Sequence, residues 1–139
     1  MTDRNAMGRN PVNILEQLLS ELIPGNYNTH GQSFQWRASR DFSNFDFSDF
    51  EQIEAEFSQE YDAAISQVQT VWGQPNFRGT PEIPGYPKWY WIRAIRMCYW
   101  KKDEGIAYVS FHREDRELPF EITLGVITEE AIEEINEFL

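Results

Sequence analysis

The sequence predicts an α+β domain, an antiparallel sheet of about four strands with three helices packed mainly on one face. Two observations carry that expectation. Between Trp89 and Val126 three apolar blocks, rich in aromatic and β-branched residues, alternate with two polar turns, as in a meander. Outside that stretch apolar residues recur three and four apart along 11–23, 48–72 and 128–138, the spacing of one helix face.

Residues 1–9 show no pattern and are expected to be flexible. Asn10 and Pro11 open the first helix, 11–23: the Asn side chain suits unpaired N–H groups of the first turn, and Pro lacks one of them. Ile14, Leu15, Leu18, Leu19, Leu22 and Ile23 form its apolar side, and Pro24-Gly25 stop it. Alternation of Phe34, Trp36 and Ala38 with polar neighbours predicts a short strand over 33–39. His30, in the polar loop before it, is expected to be solvated. In 41–47, three phenylalanines among polar residues predict an irregular segment with its rings tucked beneath it.

Ser48 and Glu51 match the S-x-x-E capping box, so the second helix, 48–72, is expected to start there. Its stripe is Ile53, Phe57, Tyr61, Ala64, Ile65, Val68 and Trp72, and Gly73 with Pro75 end it. Glu54 projects close to that stripe. It either reaches water at the margin or is buried against Arg93 or Arg96, because a buried carboxylate demands a partner. Residues 73–88 hold four prolines and three glycines and predict an irregular loop of a length often tied to binding.

The meander strands are expected at 90–101, 105–112 and 118–126. A helix is the rival reading of the first block, where Trp91, Ile95 and Cys98 also fit helical spacing; the polar turn ending in Gly105 favours a hairpin. Phe120, Ile122 and Leu124 alternate with Glu121 and Thr123, so one face of the last strand is buried. Thr128 caps the final helix, 128–138, with Ile127 and Ile132 placed as a hydrophobic staple.

A chain of 139 residues fits one domain, 1–139, which can bury a core without disulfides. Its single cysteine, Cys98, lies among apolar residues and reads as a small buried hydrophobe, and such sparing use fits a reducing cytoplasm. No apolar run approaches the ~20 residues of a membrane span, and the first ten residues lead into no signal-peptide core. A cytoplasmic protein with no membrane partner is therefore expected.

The net charge is −11, and it is uneven: residues 41–70 hold eight acids and no Lys or Arg, and 101–139 hold eleven acids against four bases. Without a basic stripe to release counterions, nucleic acid is not an expected partner. No Gly-rich phosphate loop, H-E-x-x-H or G-x-S-x-G occurs. The densest polar cluster is His112, Glu114, Asp115 and Glu117; four positions in one turn do not converge on a point, so a solvated turn is expected, with no metal and no cofactor.

In size and charge the chain is similar to small acidic bacterial immunity proteins, which neutralise a toxin by covering it. The resemblance implies a non-enzymatic protein with a basic protein partner and assigns no residue a role. The expected function is accordingly that of an acidic binding protein, immunity-type or inhibitor, using the 46–62 helix face and the final helix, with Trp89 and Trp91 as apolar anchors. The alternative is a small-ligand-binding or enzyme domain that holds an anion with Arg93 or Arg96 beside the 73–88 loop. A homodimer joined through exposed aromatics is a third expectation. The candidate site residues are thus Trp89, Trp91, Arg93, Arg96 and Glu54.

Overall fold

The computed structural model describes residues 10–22, 30–90 and 94–137. In chain order these form α1 (Pro11–Ser20), β1 (Gly31–Ala38), α2 (Phe50–Trp72), β2 (Phe77–Gly79), β3 (Arg96–Lys101), β4 (Ile106–His112), β5 (Glu121–Ile127) and α3 (Glu129–Glu137). The strands make one antiparallel sheet in the order β1-β5-β4-β3-β2. The α+β class is as expected, with five strands instead of about four. The extra strand, β2, lies inside the proline-rich segment and pairs with β3, Phe77 opposite Tyr99 and Gly79 opposite Met97. Three residues are too few to show alternation.

Pairing parity divides the sheet into two faces. Cys98 and Trp100 of β3, Ala107, Val109 and Phe111 of β4, and Ile122, Leu124 and Val126 of β5 point one way, into a buried core with α1 and α2. Met97 and Tyr99, Ile106 and Tyr108, and Ile127 point the other way, under the irregular chain around Tyr86–Tyr90 and under Ile132 and Ile135 of α3. Two of the three helices therefore share a face, and a layer of aromatic loop completes the opposite one. Tyr86 ties down that loop, its hydroxyl accepting a hydrogen bond from the Ala94 N–H at 3.0 Å.

The helix ends follow local chemistry. Asn10 Oδ1 accepts from the N–H groups of Val12 (3.0 Å) and Asn13 (3.3 Å), with Pro11 in the first turn. Thr128 Oγ1 accepts from the Ala131 N–H at 3.1 Å. The capping box expected at Ser48 does not form. Helix α2 begins at Phe50, Asp49 holds the cap position at φ 61°, and the Ser48 hydroxyl donates instead to Asp46 Oδ1 at 2.6 Å. Arg40 gathers this segment by donating to the carbonyls of Asp41, Asp46 and Ser48. Phe42 is fully buried and Phe47 half-buried, whereas Phe45 is 74 % exposed, so the expected tuck holds for two rings of three.

Two strands start later than the sequence predicts. β3 begins at Arg96, not 90, because Trp89 and Tyr90 cap the sheet instead of extending it. β5 begins at Glu121, not 118: Leu118 turns its N–H to the Asp115 carbonyl, and Pro119 has no N–H to offer a ladder. In the β3–β4 hairpin Gly105 is required by proximity, since a Cβ there would stand 2.6 Å from the Ile127 carbonyl oxygen. Ile23, Trp91 and Arg93 lie outside the described residues. Among the described residues no helix is long and apolar enough to cross a membrane.

Candidate functional site

The loop-covered face of the sheet is not sealed. A cleft of about 370 Å³ opens between Trp89 and Tyr90 of the loop and Ile135 of α3, floored by Tyr108, Thr123 and the Gly31–Ser33 end of β1. Its inner wall is aromatic. Tyr108 meets Trp89 at 5.7 Å and Tyr90 at 5.2 Å between ring centroids, and Trp89 also meets Tyr99 at 5.9 Å. Burial holds the Tyr108 phenol neutral, pushing its pKa up to about 12.

The outer end of the cleft is polar, and strand register builds it. His112 closes β4 directly opposite Glu121, which opens β5, and Thr123 is the next β5 residue on that face. His112 Nε2 lies 3.0 Å from Thr123 Oγ1, and its Nδ1 lies 3.6 Å from Glu121 Oε2. Gln35, paired with Thr123 across β1 and β5, donates its amide to Glu121 Oε1. Glu114, exposed in the turn after β4, brings a second carboxylate, and one ligand atom from each of His112, Glu114 and Glu121 lies within 4.8 Å of the others. Burial drives the His112 pKa below the ordinary histidine value, against the opposing pull of Glu121 and Glu114.

The sequence-predicted residues distribute differently. Trp89 lines the cleft but is only 8 % exposed. Arg96 lies on the opposite face, beneath α2. Its guanidinium donates to Asp62 Oδ1 at 2.9 Å and to Ser58 through both the carbonyl (3.1 Å) and the hydroxyl, and it stacks 4.7 Å from the Tyr61 ring centroid. That engagement occupies the group the anion reading needed; it lies on the face away from Tyr86–Tyr90, and Arg78 of the 73–88 segment shares Asp62 with it. Glu54 is exposed, matching the margin reading and not the buried pair. Trp91 and Arg93 fall outside the described residues. His30, expected in solvent, is 8 % exposed: its carbonyl accepts from the Thr128 N–H at 2.7 Å and its ring approaches Glu130 at 3.7 Å.

Sequence reasoning singled out His112 and Glu114 but grouped them with Asp115 and Glu117 of their own turn. Their true neighbour is Glu121, from the next strand. The signal that could have found it is the Leu118-Pro119 interruption, which sets β5 three residues later and puts Glu121 opposite His112.

A wider, open depression of about 750 Å³ lies at the start of α2, lined by Phe47, Asp49, Phe50, Glu51, Arg113 and Arg116. Arg113 packs over Phe50 at 4.7 Å and Phe120 at 5.1 Å, and acids and bases face the same space, so it favours no single ligand charge.

Fold and cleft together define a protein with a five-stranded sheet, helices over one face and an aromatic, acid-edged hollow on the other. No protein-family model matches the chain, and no curated protein or solved structure matches it.

Proposed function

We propose that this is a non-enzymatic acidic binding protein, of the immunity or inhibitor type, that covers a basic protein partner with the outer face of α3. The observation that carries this reading is the dense acidic charge of that helix, which among the described residues meets no Lys or Arg in an ion pair. Glu129, Glu130, Glu133, Glu134 and Glu137 are all exposed, and no Lys or Arg lies in the helix. Glu129 and Glu133, Glu130 and Glu134, and Glu133 and Glu137 stand four apart, where each like-charge pair costs ~0.2–0.5 kcal/mol. The last three also sit toward the negative end of the helix dipole. Among the described residues of the helix, the apolar side chains turned inward are Ala131, Ile132 and Ile135. A cationic surface laid over it would relieve this repulsion and speed encounter.

Helix α2 is acidic as well, but it lies on the other face of the sheet and part of its charge is spent internally. Asp62 meets Arg78 and Arg96, both at 2.9 Å, and Glu60 meets Arg37 at 3.8 Å. The α3 face is therefore the stronger candidate surface. A cytoplasmic, bacterial setting belongs to this reading, supported by the single, buried, free cysteine and by the similarity in size and charge to immunity proteins.

The homodimer alternative has less support. Among the described large apolar side chains the exposed ones, Phe45, Val71, Ile83, Ile95 and Leu118, come from five separate segments.

The test is capture from host lysate at low ionic strength on the immobilised protein, beside a variant with all five α3 glutamates changed to Gln. A basic protein retained by the parent, released by ~1 M salt where charge attraction reaches only ~3 Å, and not retained by the variant is expected. Retention of no basic protein, or equal retention by both, contradicts the reading.

A further inference from the structure

We propose that His112, Glu114 and Glu121 form a site for a divalent transition-metal cation at the polar end of the cleft. The argument starts from an unsatisfied nitrogen. The His112 side chain is 4 % exposed, and its buried Nδ1 has no hydrogen-bond partner among the described residues. Thr123 Oγ1 holds the other ring nitrogen at 3.0 Å. If Nε2 carries the proton and donates to Thr123, the Nδ1 lone pair faces the Glu121 carboxylate, with Glu114 in the same cluster. If Nδ1 carries it, the nearest carboxylate oxygen stands 3.6 Å away, beyond the ~2.7–3.2 Å of an N–H···O bond. Neither tautomer satisfies this atom, whereas a cation between the three side chains satisfies all of them.

The surroundings are those of a held ligand set. Thr123 fixes the imidazole ring, and Gln35 occupies Glu121 Oε1, leaving Oε2 turned toward His112. Two carboxylates balance a dication. The ligand atoms span up to 4.8 Å, about 1.4 Å more than the ~3.4 Å that ~2.1 Å metal–ligand bonds allow around a tetrahedral ion. Glu114 is exposed and closes that gap by rotating its side chain. One imidazole with two carboxylates selects Zn²⁺ or Mn²⁺ over Mg²⁺ or Ca²⁺, which take oxygen donors. Three protein ligands leave a coordination position open for water or for a donor atom of a molecule in the cleft, which His112, Glu114 and Glu121 all line. The site is independent of the α3 surface, and either can fail without the other.

The test is calorimetric titration of the chelator-stripped full chain with Zn²⁺ and with Mn²⁺, alongside imidazole ¹⁵N spectra, which hold only two histidines. One ion per chain is expected, with the His112 Nδ1 resonance moving and that of His30 staying. Glu114→Gln, at an exposed position, should keep its fold by circular dichroism and bind at least about tenfold more weakly; Thr123→Val, which frees the ring, should lose about 10–100-fold. Absence of binding by either ion overturns the proposal. So does binding that leaves the His112 resonances unmoved, or that Glu114→Gln does not weaken; an ion held on the α3 glutamates would give both of these last results.

Discussion

Tyr108 lies across Gly125, its partner on the neighbouring strand: a Cβ at position 125 would come within 2.2 Å of the Tyr108 ring carbon Cζ and 2.3 Å of its hydroxyl oxygen. The missing side chain is the space the ring occupies, and the ring in turn supports Trp89 and Tyr90. Gly125→Ala should therefore cost about 1–3 kcal/mol by overpacking, measured as the shift of the urea midpoint. Combined with Tyr108→Ala the penalty should be less than additive, since the second change removes the clash. Strict additivity would show that the two residues do not share this space.

Arg96 is a structural cation. Arg96→Ala removes its bonds to Asp62 and Ser58 and its packing over Tyr61, so a loss of about 1–3 kcal/mol is expected. Asp62→Asn weakens two partly exposed ion pairs, with Arg78 and Arg96, each worth ~0–1 kcal/mol and left partly in place as hydrogen bonds to the amide oxygen. Thermal unfolding of the two variants should give that order, and the reverse order would show that the ion pairs outweigh the packing.

Alkaline pH should unfold the protein. Burial pushes the Cys98 thiol up to about 12 and Tyr108 up to about 12, and it raises Tyr61 and Tyr90 further. In the unfolded chain these groups ionise near their ordinary values of 9.0 and 10.0, so the unfolded state loses protons first. Stability is then full below about pH 9 and falls as pH rises toward 12. Urea midpoints across that window check the direction. In parallel, an aromatic disulfide reagent at pH 8 should leave Cys98 unmodified until the protein is denatured.

The elements that read clearly from sequence were those with long periodic patterns or explicit caps: α1 behind Asn10-Pro11, the body of α2, and α3 behind Thr128. The parts that did not read were decided by tertiary contact. Trp89 and Tyr90 have strand-forming side chains, yet they act as a lid because the face they cover is itself aromatic. Ser48 offers a capping box, but Asp46 takes its hydroxyl and Arg40 takes its carbonyl. The His112–Glu121 pair depends on register, which a pattern fixes only to the nearest residue of parity, and Pro119 moved the strand start that would have revealed it.

The charge on α3 should be costly to the free protein. Changing Glu133 to Gln breaks two of the three like-charge pairs that stand four apart, so a gain of about 0.4–1 kcal/mol from these is expected at low salt, shrinking as salt rises. Denaturant titrations at two ionic strengths measure it. A loss of stability would mean that Glu133 makes a contact the fold needs.

The most direct measurement is the association rate between this protein and the basic partner it captures, followed from ~0.01 to ~1 M salt, for the parent chain and for the five-Gln α3 variant. The parent rate should fall by roughly 10–10³-fold across that range, with the variant slow and nearly flat. Parent and variant rates that coincide at every salt concentration would contradict a role for the α3 face in binding.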